Sequence, residues 1–96
     1  MVTRIVKLTL ATEFIPSFIA NFHEVQPFII EMKGCNGVQL QRDAQNPCIF
    51  FTISLWDTET DLNNYRETPL FRTTWARIKP NFTARAEAWS TLDVIL

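Results

Sequence analysis

One histidine and two cysteines leave this chain without the donors of a zinc site, which takes four nitrogen or sulfur ligands in its usual structural form. No metal is therefore expected. The two cysteines also fall badly for a disulfide. A strand-turn-strand reading of residues 37 to 56 puts Cys48 beside the turn and Cys35 near the far end, more than about 20 Å apart at 3.3 Å per residue. Two reduced thiols are expected instead. Charge of one sign is scarce as well: nine basic and ten acidic residues are interspersed, net −1, with no basic stripe to displace the counterions of a phosphate backbone. Nucleic acid is not an expected partner. No run of about 18 apolar residues occurs, and the first thirty residues lack the basic start, apolar stretch and small-residue cleavage site of an export signal. A cytoplasmic protein with no membrane partner is the expectation. Repeats, low-complexity tracts and linkers are likewise missing.

What is present is hydrophobic content of 47% in 96 residues, enough for one packed core and about one small domain, residues 1–96. A chain this short leaves roughly a third of its unfolded surface exposed when it folds alone. A second copy covering a sheet face would relieve that deficit.

Residues 2 to 10 alternate: Val2, Val6, Leu8 and Leu10 on one side, Thr3, Lys7 and Thr9 on the other, the pattern of a strand. From Phe14 the period lengthens. Ile15, Phe18, Phe22, Val25, Ile29 and Met32 recur every three or four residues as one helical stripe, with Pro16 in its first turn and Gly34 at its end. Pro27 falls within that pattern and predicts a kink or break. A second strand over 37 to 43 alternates Val38, Leu40 and Arg42 against Gln39 and Gln41, and Ala44 to Pro47 form a turn. In the third strand, 48 to 56, the uniformly apolar Ile49, Phe51, Ile53 and Leu55 are expected to face the helices. The mixed Cys48, Phe50, Thr52, Ser54 and Trp56 are expected to meet a subunit or a partly wet cavity. Thr58 with Asp61 marks one helix start, and Thr68 with Pro69 a second, whose stripe is Phe71, Trp75, Ile78 and Phe82. A last strand near 84 to 91 alternates small residues with large ones. The order βαββαβ, with an antiparallel sheet and helices on one side, predicts an α+β ferredoxin-like fold.

From the third strand onward the residues FFTISLWDTETDLNNYRETPLFRTTWARIKPNFTARAEAWS, with the Phe-rich first helix, Gly34-Cys35, Arg42-Asp43 and Asn46-Pro47, resemble the antibiotic biosynthesis monooxygenase-like family of the dimeric α/β-barrel superfamily. The resemblance implies a homodimer whose sheets pack face to face, with a pocket in each protomer between sheet and helices. It also implies, for some members, oxidation of phenolic or quinol-type substrates by oxygen with no metal or flavin, and for others heme degradation. The heme-degrading branch uses a His and a Trp of the second helical region and an Asn of the first strand. The matching places here hold Trp75 and Tyr65, and the first strand has no Asn, which disfavours that mechanism. Quinol-oxidising members commonly carry His residues where this chain has Tyr65 and Leu70.

Each candidate residue has a plain reading beside the functional one. His23 has a side chain suited to general-base work, yet it projects about 130° from the helix stripe, as a solvated residue would. Tyr65 can donate a hydrogen bond and Arg66 can stabilise an anion, or Tyr65 seals the core and Arg66 sits in water. Trp56, Phe71, Trp75 and Trp89 either wall an aromatic substrate or simply pack. Thr52 and Ser54 either orient a ligand or satisfy cross-strand contacts. Cys35 has only Lys33 nearby to activate it. Two functions remain open from the sequence. One is a monooxygenase needing no cofactor, with Tyr65 and Arg66 as catalytic residues and Thr52, Trp56, Phe71, Trp75 and Trp89 around a small aromatic ligand. The other is a non-catalytic dimeric module that binds a hydrophobic metabolite.

Overall fold

Alternating β-branched and polar residues at the start of the chain form β1 (Val2–Thr9) in the computed structural model, which describes residues 1–96. A 3₁₀ turn leads into α1 (Ile15–Ile30), with Pro16 in its first turn, where a missing N–H costs no helical bond. Then come β2 (Cys35–Arg42), β3 (Ile49–Trp56), α2 (Glu59–Arg66), α3 (Pro69–Ile78) and β4 (Glu87–Leu92). The strands form one antiparallel sheet in the order β2-β3-β1-β4, so the expected α+β ferredoxin-like arrangement is found. No helix is long and apolar enough to cross a membrane.

Of the kink or break expected at Pro27, the break does not occur: α1 runs through Pro27 as one helix. Pro27 sits in the last turn, and both it and His23, whose carbonyl it leaves free, are exposed, so water can satisfy that carbonyl. The turn after α1 needs Gly34, which has φ +83° and packs against α2 so closely that a Cβ would lie 2.6 Å from the Asp61 Cβ. Both later helix starts are capped as read. The Thr58 hydroxyl accepts from the Asp61 amide at 3.1 Å, and the Thr68 hydroxyl accepts from the Phe71 amide at 3.2 Å.

The sheet's two faces are reversed in β3 relative to the expectation. Leu8 pairs with Phe50, Val6 with Thr52, Arg4 with Ser54 and Val2 with Trp56, so the mixed, even-numbered face of β3 shares the helix side with the buried face of β1. Ile49, Phe51, Ile53 and Leu55 point the other way, and none of them is fully buried in the single chain. Partners across a β ladder share a face, so the register overrides the local impression that the oilier side lies within.

Two groups of buried residues fill the space beneath the helices. One is Leu8, Leu10, Phe18, Phe50 and Ile78; the other is Val2, Ile29, Trp56 and Leu62. β4 is an edge strand whose six residues are all exposed, and it starts at Glu87, later than expected. Both cysteines are free, at opposite ends of β3: Cys35 pairs with Trp56, and the Cys48 carbonyl accepts from the Leu10 amide at 2.9 Å.

Candidate functional site

Between the two buried groups lies a partly open cavity of about 310 Å³, lined by all four strands and the three helices. Leu8, Phe18 and Ile78 of one group and Ile29 and Leu62 of the other both contribute to its wall. Fourteen of its twenty lining residues are hydrophobic, a composition suited to an apolar ligand held by a few polar groups.

Those polar groups come from five elements. β3 supplies Thr52 and Ser54, because its even-numbered side faces inward. β1 supplies Arg4, α1 supplies Asn21, and the α2 to α3 region supplies Tyr65, Arg66 and Thr74. Ser54 is partly committed, since its hydroxyl accepts from the Trp56 indole N–H at 2.8 Å. Asn21 is only 7% exposed, and its side-chain amide has no hydrogen-bond partner within the protein and is not sealed off.

Tyr65 stands in a line of aromatic rings. It stacks on Trp56 at 5.1 Å and meets Phe71 edge-on at 5.3 Å; Phe71 stacks on Trp75 at 6.0 Å, and Trp75 meets Phe82 at 5.4 Å. Burial, and secondarily the Cys35 sulfur when ionised, push the Tyr65 phenol up to about 12. At neutral pH it is therefore a hydrogen-bond donor and not a base. Its hydroxyl has no protein partner and is not sealed from solvent. Arg4 is shifted downward, first by burial and then by the positive charge of Arg66.

Tyr65, Arg66, Thr52, Phe71 and Trp75 thus line one cavity. Two other expected wall residues do not. Trp56 is 0% exposed and lies behind Tyr65 as packing. Trp89 is 45% exposed and pairs with Ile5 on the opposite face of the sheet, because alternation turns Ala88 and Ser90 inward in its place. His23 is exposed on α1 and does not line the cavity. Arg4 and Asn21 were missed by the sequence reading, although both carried a signal. Arg4 shares the parity of Val2, Val6 and Leu8, so a charge stands on the buried side of an alternating strand. Asn21 falls one residue before Phe22 on the helix stripe, three after Phe18. No three His, Cys, Asp or Glu side chains converge anywhere in the fold.

Residues 1–77, from β1 to near the end of α3, match the family model for antibiotic biosynthesis monooxygenases. The chain belongs to that family. Its match covers every element around the cavity except β4. Solved structures agree on the architecture. A Nitrosomonas europaea protein, provisionally assigned as an antibiotic biosynthesis monooxygenase, superposes with a TM-score of 0.90 at 16% identity, over 99% of this chain and 100% of that one. A crystal structure of an antibiotic biosynthesis monooxygenase gives 0.91 at 18% identity, over 99% and 100%. Rv0793 from Mycobacterium tuberculosis gives 0.89 at 13% identity, over 99% and 96%. At such identities the likeness speaks to fold alone. Among curated proteins, none matches the sequence.

Proposed function

We propose that this member of the antibiotic biosynthesis monooxygenase family is a cofactor-independent monooxygenase that oxidises a small aromatic or quinol-type substrate within the cavity, as a homodimer. The observation that carries this reading is a largely apolar cavity into which a neutral phenol donor, Tyr65, and two guanidinium groups are built. The aromatic wall of Phe71 and Trp75 suits a flat ring, and Thr52 and Asn21 offer hydrogen bonds to fix its orientation. In such chemistry the electron-rich anion of the substrate delivers electrons to oxygen, and the protein stabilises that anion.

Tyr65 has the role of a donor to the substrate oxygen, and Arg66 that of a counter-charge. No carboxylate or imidazole lines the cavity, so the phenolic proton leaves to water, its departure made easier by the adjacent positive charges. A homodimer is supported by the outward face of the sheet. Ile5 lies between Ile53 and Trp89 in adjacent strands, with Phe51 and Leu55 alongside, an apolar patch that a second copy would cover.

The absence of any side chain in the cavity that titrates near neutrality favours a second reading, a dimeric module that binds a small hydrophobic ligand without turning it over. Oxygen uptake across a panel of phenols and quinols separates the two. The monooxygenase reading expects consumption by the wild type that falls about 100-fold in Tyr65→Phe, the usual loss for one oxyanion donor. Wild-type uptake no greater than that of the variant on every compound leaves the binding module in its place.

A further inference from the structure

The cavity's charge is one-sided. Arg4 and Arg66 are the only ionisable side chains in its lining besides Tyr65, and no acidic residue faces them. The two ion pairs of the molecule, Lys7 with Glu87 and Arg72 with Glu67, lie elsewhere. Arg4 donates one N–H to Ser90 at 3.0 Å; a guanidinium has five, and the others find no acceptor in the protein. Arg66 makes no side-chain hydrogen bond or ion pair at all. Two guanidinium groups thus line one cavity without a counter-ion, Arg4 half-buried on the inward side of a central strand and Arg66 exposed at the end of α2, and an anion between them would be stabilised by both. Nothing in the architecture demands a charge at position 4, where neighbouring inward residues are Val2 and Val6.

We infer that the ligand of this cavity is an aromatic monoanion, whose carboxylate or equally acidic oxyanion sits between Arg4 and Arg66 while its ring lies against Phe71 and Trp75. The inference rests on the cavity being the ligand site, and it narrows the substrate class from phenols in general to ring compounds already ionised at neutral pH. A planar carboxylate has two acceptor oxygens, the complement of a guanidinium fork. The unpartnered amide of Asn21, more than nine-tenths buried, supplies a further polar contact for a ring substituent.

Calorimetric titration of the full chain with 2-naphthoate and with its neutral isostere 2-naphthamide tests this. The acid is expected to bind at least about tenfold more tightly, the effect of one charge-assisted contact. In Arg4→Gln and in Arg66→Gln that preference should shrink to about threefold or less, with amide affinity nearly unchanged. Should Arg4→Gln fold poorly, Arg66→Gln, at an exposed helix end, carries the comparison alone. Equal affinity for acid and amide in the wild type, binding of neither, or a preference that survives both substitutions overturns the inference. The oxygen-uptake assay is read separately. A preference for the acid without oxygen consumption refutes the monooxygenase reading and leaves this one standing, whereas turnover of neutral quinols with no acid preference does the reverse.

Discussion

Tyr65 shows how burial alone assigns a chemical role. Its ring is held between Trp56 and Phe71, and the same apolar surroundings that stabilise the stack disfavour the phenolate. A phenol whose folded value of about 12 lies above its ordinary 10 keeps in the native state a proton that the unfolded chain releases first. The stability that goes with it is complete below about pH 10 and is lost as pH rises through about 12. Two pH units correspond to about 2–3 kcal/mol. Denaturant titrations from pH 9 to 12 should therefore show the wild type losing that much more stability than Tyr65→Phe. At pH 7 the two proteins should agree within about 1 kcal/mol, because the deleted hydroxyl has no protein partner.

The corner between α2 and α3 positions the polar end of the cavity. The Thr68 hydroxyl donates to the Tyr65 carbonyl at 2.6 Å and accepts from the Phe71 amide at 3.2 Å, so one side chain closes the first helix and opens the second. Thr68→Ala should cost about 1 kcal/mol, read as a fall of about 5 °C in Tm. It should also loosen Tyr65 and Arg66, raising KM in any activity found. The other tight junction is Gly34 against Asp61. Gly34→Ala combines a positive φ with a Cβ placed 2.3 Å from the Asp61 carboxylate oxygen, and a loss of about 2 kcal/mol or more is expected by chemical denaturation. Gly34→Ala combined with Asp61→Ala should recover only a small part of that loss, since the carboxylate contacts are removed while the 2.6 Å approach of the two Cβ atoms and the strained φ remain. These junctions were readable in advance because capping and turn signals are local: Thr68-Pro69, Thr58 with Asp61, and Gly34 after an apolar stripe. The break at Pro27 was a false signal, since a proline in the last turn of a helix frees only one carbonyl and that carbonyl can reach water.

For the whole molecule the outward face of the sheet is where the proposed homodimer is tested. Ile5, Ile53 and Trp89 form one row across three strands, and replacing Ile53 by Glu should break the proposed homodimer into chains of 11.2 kDa without unfolding them. Sedimentation velocity at micromolar concentration checks this, and a wild type that already sediments as single chains rules the dimer out. Element order, helix caps and the ferredoxin-like arrangement could be read from residue spacing, because each depends on neighbours within a few positions. So could the aromatic pair Phe71 and Trp75, which follows one helix stripe. Which face of β3 turns inward could not. Alternation divides a strand into two sets of side chains and says nothing about which set meets the helices; the ladder with β1 chooses, through partners some fifty positions away in the chain. That choice carries Thr52 and Ser54 into the cavity beside Arg4 and leaves Ile53 outside, and the ladder between β1 and β4 does the same to Trp89. A pocket is made of residues that meet only after distant strands have paired, so its charge and its walls emerge at that step.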